Sequence, residues 1–155
     1  MRTELYSCRD RSYGAWHRAP SIARFIDRTQ AESLTMADLD SVLFTEYDHL
    51  GKVPLALVEV ARDIGQDKPA GVLMRLAQLA NVPAYVALYT PTASANPSNG
   101  NWTDIECFRV QRLWPQPEDG WRRLTPSQWA HALVRIRDWQ MRRFAVREAA
   151  NDPRY

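Results

Sequence analysis

Glycine is scarce in this chain: six residues among 155, scattered and nowhere clustered. A phosphate-cradling loop or a dinucleotide fingerprint needs closely spaced glycines ahead of a helix, so both nucleotide-binding motifs are excluded. Cysteine is scarcer still. Cys8 and Cys107 lie far apart without metal-type spacing, which indicates neither a disulfide framework nor a zinc site, and both read as small core residues. The histidines, His17, His49 and His131, are too dispersed for a His-based metal site or a nucleophilic triad. Apolar runs break off well before the roughly 18 residues that a membrane span requires. The Arg-studded N-terminus lacks the apolar core of a signal peptide, so a soluble, cytoplasmic protein without a membrane partner is expected. Lysine is confined to Lys52 and Lys68.

What is present is 45% apolar residues over a length that suits one domain with a core of its own. Residues 1–155 are therefore read as a single domain. The net charge of +2 is small, but its distribution is uneven. Residues 1–30 hold six Arg against three acids, residues 31–70 eight acids against three bases, and residues 119–155 eight Arg against four acids. An acidic centre between basic ends suits a metal site approached by a polyanion such as nucleic acid; solvated Arg-rich faces explain the same excess.

Hydrophobic spacing at Ile22, Phe25 and Ile26 predicts a first helix over about 20–30, preceded by a short strand or loop at 3–7. Two strands follow, 38–46 and 54–62, joined by a turn rich in Asp, His and Gly that favours antiparallel pairing. Residues 70–80 repeat apolar positions at helical intervals behind Pro69. The run 84–89 reads as a buried strand. A helix leading directly into a strand implies a crossover that sets this strand parallel to an earlier one. Residues 90–101 read as a Pro-, Ser- and Asn-rich loop, and 102–114 as a half-exposed strand. Thr125 and Pro126 open a long helix over about 126–148, with Trp129, Leu133, Ile136, Met141 and Phe144 as core candidates. The expected fold is α/β: a mixed sheet of about four strands flanked by helices.

The two early strands carry acids where buried strands have none. Side chains alternate faces along a strand, so Asp38 and Asp40 share one face, as do Glu59, Ala61 and Asp63. Carboxylates in apolar strands are costly to desolvate unless a cation compensates, and a divalent metal with oxygen ligands is one such cation. The element order, with Asp40 on one strand and Glu59 within Leu57-Val-Glu-Val-Ala-Arg62 on the next, resembles the PD-(D/E)xK superfamily of metal-dependent nucleases over roughly residues 20–115. That resemblance implies a restriction-endonuclease-like core and a site with Asp40 and Glu59, joined by Asp38, as ligands of Mg²⁺ or Mn²⁺. It also implies cleavage of nucleic acid, DNA in preference to RNA, by metal-dependent phosphodiester hydrolysis.

The pattern departs from the family where its lysine belongs, two residues after Glu59: that position is Ala61, and no proline precedes Asp40. Lys68, Arg62 and Arg75 are the candidate substitutes. An arginine would stabilise charge without serving as a base. Other readings stand beside these. Asp38 and Asp40 also fit a helix cap and a turn acid, Glu59 an edge-strand acid exposed on the solvent face or paired with Arg62 or Arg75, Glu46 and Asp48 turn acids, and Gln78 a solvent-facing residue. Arg75 is also a candidate nucleic-acid contact, and Arg135, Arg142 and Arg143 on the last helix suit phosphate contacts, with Trp129 and Trp139 interleaved, or the wet side of an amphipathic helix. Ala61 equally suits a catalytically inactive relative that serves as a binding or assembly module in a larger complex.

Overall fold

The computed structural model describes residues 16, 19–35 and 39–151, so Asp38, Cys8, His17 and the short N-terminal strand or loop lie outside the described residues. The chain divides into two units, Met1–Asp38 and Leu39–Tyr155. In the first, the single helix expected over 20–30 is instead two short ones, α1 (Ala19–Ile22) and α2 (Arg28–Ser33). The chain leaves helical geometry after Ile22 and turns over residues 23–26. Asp27, with an extended backbone, then opens α2, its carboxylate accepting the N–H of Gln30 at 2.9 Å. Of the residues whose spacing predicted the helix, Ile22 is buried and Phe25 is 65% exposed.

The second unit carries the α/β fold. Strands β1 (Ser41–Tyr47) and β2 (Gly51–Arg62) pair antiparallel, with Ser41 opposite Val58 and Tyr47 opposite Gly51. The turn is tighter than the sequence suggests, because Gly51 at φ +69 takes a backbone conformation that L side chains resist and lets β2 start at once. Helix α3 (Gly71–Ala80) follows and ends on Asn81 in the left-handed region. Strand β3 (Ala84–Asn96) then runs parallel to β2, with Leu57 opposite Ala84 and Arg62 opposite Tyr89. This is the expected crossover.

Residues 90–101 form no irregular loop. β3 continues to Asn96, and β4 (Asn99–Trp114) returns antiparallel to it. Pairing with β2 ends at Tyr89, so the distal part of this hairpin is a two-stranded ribbon beyond the main sheet. Pro91 lies at a break in register, where the N–H it lacks costs no regular ladder bond. A fifth strand, β5 (Arg122–Leu124), too short to register as a pattern, pairs antiparallel with β4. The result is a mixed five-stranded sheet in the order β1-β2-β3-β4-β5.

Strand alternation separates two cores. On one face Leu57 and Ala84 pack with Leu73, Ala77 and Val82 of and after α3, joined by Val42 and Leu113. On the other, Val58, Tyr85, Ala87 and Val110 pack with Trp129, flanked by Ala132, Leu133 and Ile136 of α4 (Pro126–Ala150). Thr125 opens α4 with a capping box, accepting the Gln128 N–H while the Gln128 side chain accepts its own. Phe144 stacks on Tyr47 at 5.5 Å between centroids. Gln140, an unexpected buried polar residue, reaches the Asn81 carbonyl at 3.4 Å. Among the described residues, no helix is long and apolar enough to cross a membrane.

Candidate functional site

Glu59 shares its strand parity with Leu57 and therefore lies on the α3 face. Asp40 immediately precedes β1, one step beyond the Ser41–Val58 pair, which brings it across from Glu59. Its Oδ2 accepts the backbone N–H of Val60 at 3.0 Å, a bond that fixes the carboxylate at the strand edge. The third member comes from the segment between β2 and α3. Lys68 Nζ forms an ion pair with Glu59 Oε1 and lies 3.5 Å from Asp40 Oδ2. The Glu59 side chain is only 13% exposed, so an acid there needs a cation nearby.

Partial burial lowers the Lys68 pKa, but the hydrogen bond to Glu59 and the charges of Glu59 and Asp40 outweigh it and leave the pKa above its ordinary value. The ammonium is thus protonated at neutral pH. Lys68 offers positive charge and N–H donors, and it is unsuited to act as a base.

The other sequence candidates fall elsewhere. Arg62 alternates away from Glu59 toward the opposite face and is exposed at the end of β2. Arg75 is exposed on α3 and bonds Gln78 at 3.2 Å; the pairing of Glu59 with either arginine is replaced by Lys68. Gln78 is solvent-facing. Arg135, Arg142 and Arg143 belong to α4, which packs on the other side of the sheet from Asp40, Glu59 and Lys68. Arg135 and Arg142 are exposed. Arg143 serves packing: it bonds Gln140 at 3.1 Å and Asn81 at 3.4 Å and lies over the Trp139 ring at 4.5 Å.

Sequence reasoning missed a second polar cluster beside the first. Arg109 on β4 grips Asp63 with two hydrogen bonds, Nε to Oδ2 at 2.7 Å and Nη2 to Oδ1 at 3.0 Å. The register Ala61–Leu88–Arg109 places that arginine on the Glu59 face. The Arg109 hydrogen bonds, followed by one from the Gly65 N–H, hold the Asp63 carboxyl below its usual pKa. Arg109 also lies over the Trp121 ring at 4.7 Å, and the Trp121 indole N–H donates to Asp67 at 3.1 Å. The sequence signal was the shared face of Glu59 and Asp63; the partner strand was not deducible.

Among the described residues, no three His, Cys, Asp or Glu side chains are grouped to hold a metal. Two carboxylates, Asp40 and Glu59, do converge. That donor set suits a hard cation which keeps waters and takes one or two carboxylates plus substrate phosphate, as Mg²⁺ does, and does not suit zinc or an all-protein cage. No protein-family model, curated protein or solved structure matches the chain.

Proposed function

We propose that the protein is a metal-dependent nucleic-acid phosphodiester hydrolase of diverged PD-(D/E)xK type, acting on DNA in preference to RNA. One observation carries this reading. Lys68, from outside the expected motif, reaches both Asp40 and Glu59 and so supplies the cation that Ala61 cannot. Asp40 and Glu59 would hold Mg²⁺ or Mn²⁺, which when bound polarises a phosphate and lowers the pKa of water. Lys68, kept protonated, would offer its N–H groups to the charge that builds on a phosphoryl oxygen. The bond from the Val60 N–H orients Asp40 in advance.

A second reading has its own support. Lys68 already pairs with both acids, and such a triad also serves as a tie between β1, β2 and the crossover in an inactive binding or assembly module.

The test is cleavage of labelled single- and double-stranded DNA in Mn²⁺ by the wild type, Asp40→Asn and Glu59→Gln. Cleavage by the wild type alone is expected. Equal cleavage by both variants would remove the site assignment, and no cleavage with no Mn²⁺ binding by the wild type would favour the module.

A further inference from the structure

The reach of Lys68 is set by an irregular stretch of backbone, residues 63–70 between β2 and α3. No ladder bonds run through such a segment, and a lysine stem with roughly 2 kcal/mol of rotamer entropy cannot aim itself. The segment is instead strapped at two points. At its start, the Asp63 N–H donates to the Tyr89 carbonyl at 2.8 Å and its carboxylate is gripped by Arg109. Gly65, at φ +76, turns back so that its N–H meets Asp63 Oδ1 at 2.9 Å. Toward its end, Asp67 accepts the Trp121 indole N–H at 3.1 Å, one residue before Lys68.

Trp121 is itself fixed. The Arg109 guanidinium covers its ring, and the adjoining β5 is registered on β4 by the Arg109–Arg123 pair. One arginine therefore serves both straps.

We infer that Trp121 and Asp67 are positioning residues for Lys68: their hydrogen bond, backed by Arg109, anchors the crossover so that the ammonium lies between Asp40 and Glu59. The catalytic meaning of this inference rests on those three residues being the reacting centre; the anchoring itself does not.

Because the chain has only Lys52 and Lys68, protein grown on ¹³C,¹⁵N-lysine gives two side-chain signals, with Lys52 as the internal reference. In the wild type the Lys68 CεHε group is expected to be ordered, with an observable Nζ correlation. Trp121→Phe keeps a ring against Arg109 but loses the indole donor, and Asp67→Ala loses the acceptor on an exposed loop. Both should release Lys68 to a mobile signal, while Asp67→Asn, which keeps the acceptor oxygen, should retain the ordered one. In Mn²⁺-dependent cleavage the two releasing variants should lose about tenfold or more in kcat at unchanged KM. An ordered Lys68 in both Trp121→Phe and Asp67→Ala would overturn the anchoring. A released Lys68 with unchanged kcat would overturn its catalytic role. Absence of cleavage by the wild type would count against the nuclease reading, with the lysine signals still deciding the anchoring.

Discussion

Lys68 pairs with Glu59 across a bend of the chain: the carboxylate stands within β2, and the ammonium returns to it from the crossover that follows. The same ammonium lies 3.5 Å from Asp40. A cation thus occupies the space between two acids that would otherwise repel each other on neighbouring strands.

Replacing that cation tests what the acids are for. In Lys68→Gln the two carboxylates lose their shared cation, and Mn²⁺ affinity is expected to rise about tenfold, the scale of removing one unit charge at contact in a wet site. Cleavage should fall at the same time. Isothermal titration calorimetry measures the first and the DNA assay the second. Unchanged or weaker Mn²⁺ binding would show that Asp40 and Glu59 do not receive a divalent ion.

The Asp63–Arg109 pair makes stability depend on acid. The folded Asp63 titrates below its ordinary value because of Arg109 and Gly65, so its contribution is fully present above the unfolded pKa of about 3.9 and is lost as pH falls through the folded value. Asp63→Asn should therefore cost about 1 kcal/mol near pH 6, after allowance for screening of a partly exposed pair. The gap from wild type should close towards pH 2. Urea unfolding at pH 6, 4 and 2 gives the curve, and a gap independent of pH would rule out the ion pair as its source.

Packing and capping should separate by magnitude. Leu88 is 2% exposed at the centre of the sheet, and Leu88→Ala should remove about 3 kcal/mol. Thr125→Ala breaks the capping box of α4 and should remove about 1 kcal/mol, whereas Thr125→Ser keeps the acceptor and should be nearly silent. Denaturant midpoints at constant m-value report both. Equal losses would mean that α4 depends on its cap as heavily as the sheet depends on its core.

Periodicity made α3 and α4 legible, since Leu73 and Ala77, and Trp129, Leu133 and Ile136, are spaced to face a sheet. It failed where proline suggested a break: Pro91 and Pro97 read as loop, yet the paired ribbon tolerates one at a register shift and the other in its turn. The convergence of Asp40 and Glu59 followed from antiparallel pairing of adjacent strands. The Asp63–Arg109 bond did not, because it joins a residue just past the end of β2 to one on β4, with β3 between the two strands.

By itself, then, the sequence determined α3 and α4, the antiparallel pair, the parallel crossover and the face shared by Glu59 and Asp63, all of which follow from short-range periodicity and turn chemistry. Only the tertiary structure decided that Lys68 would serve both acids, that α4 and its arginines would lie across the sheet from them, and that Trp121 would hold Asp67. Those outcomes depend on strand order and on which loops meet, and no spacing within a single segment encodes contacts between segments far apart in the chain.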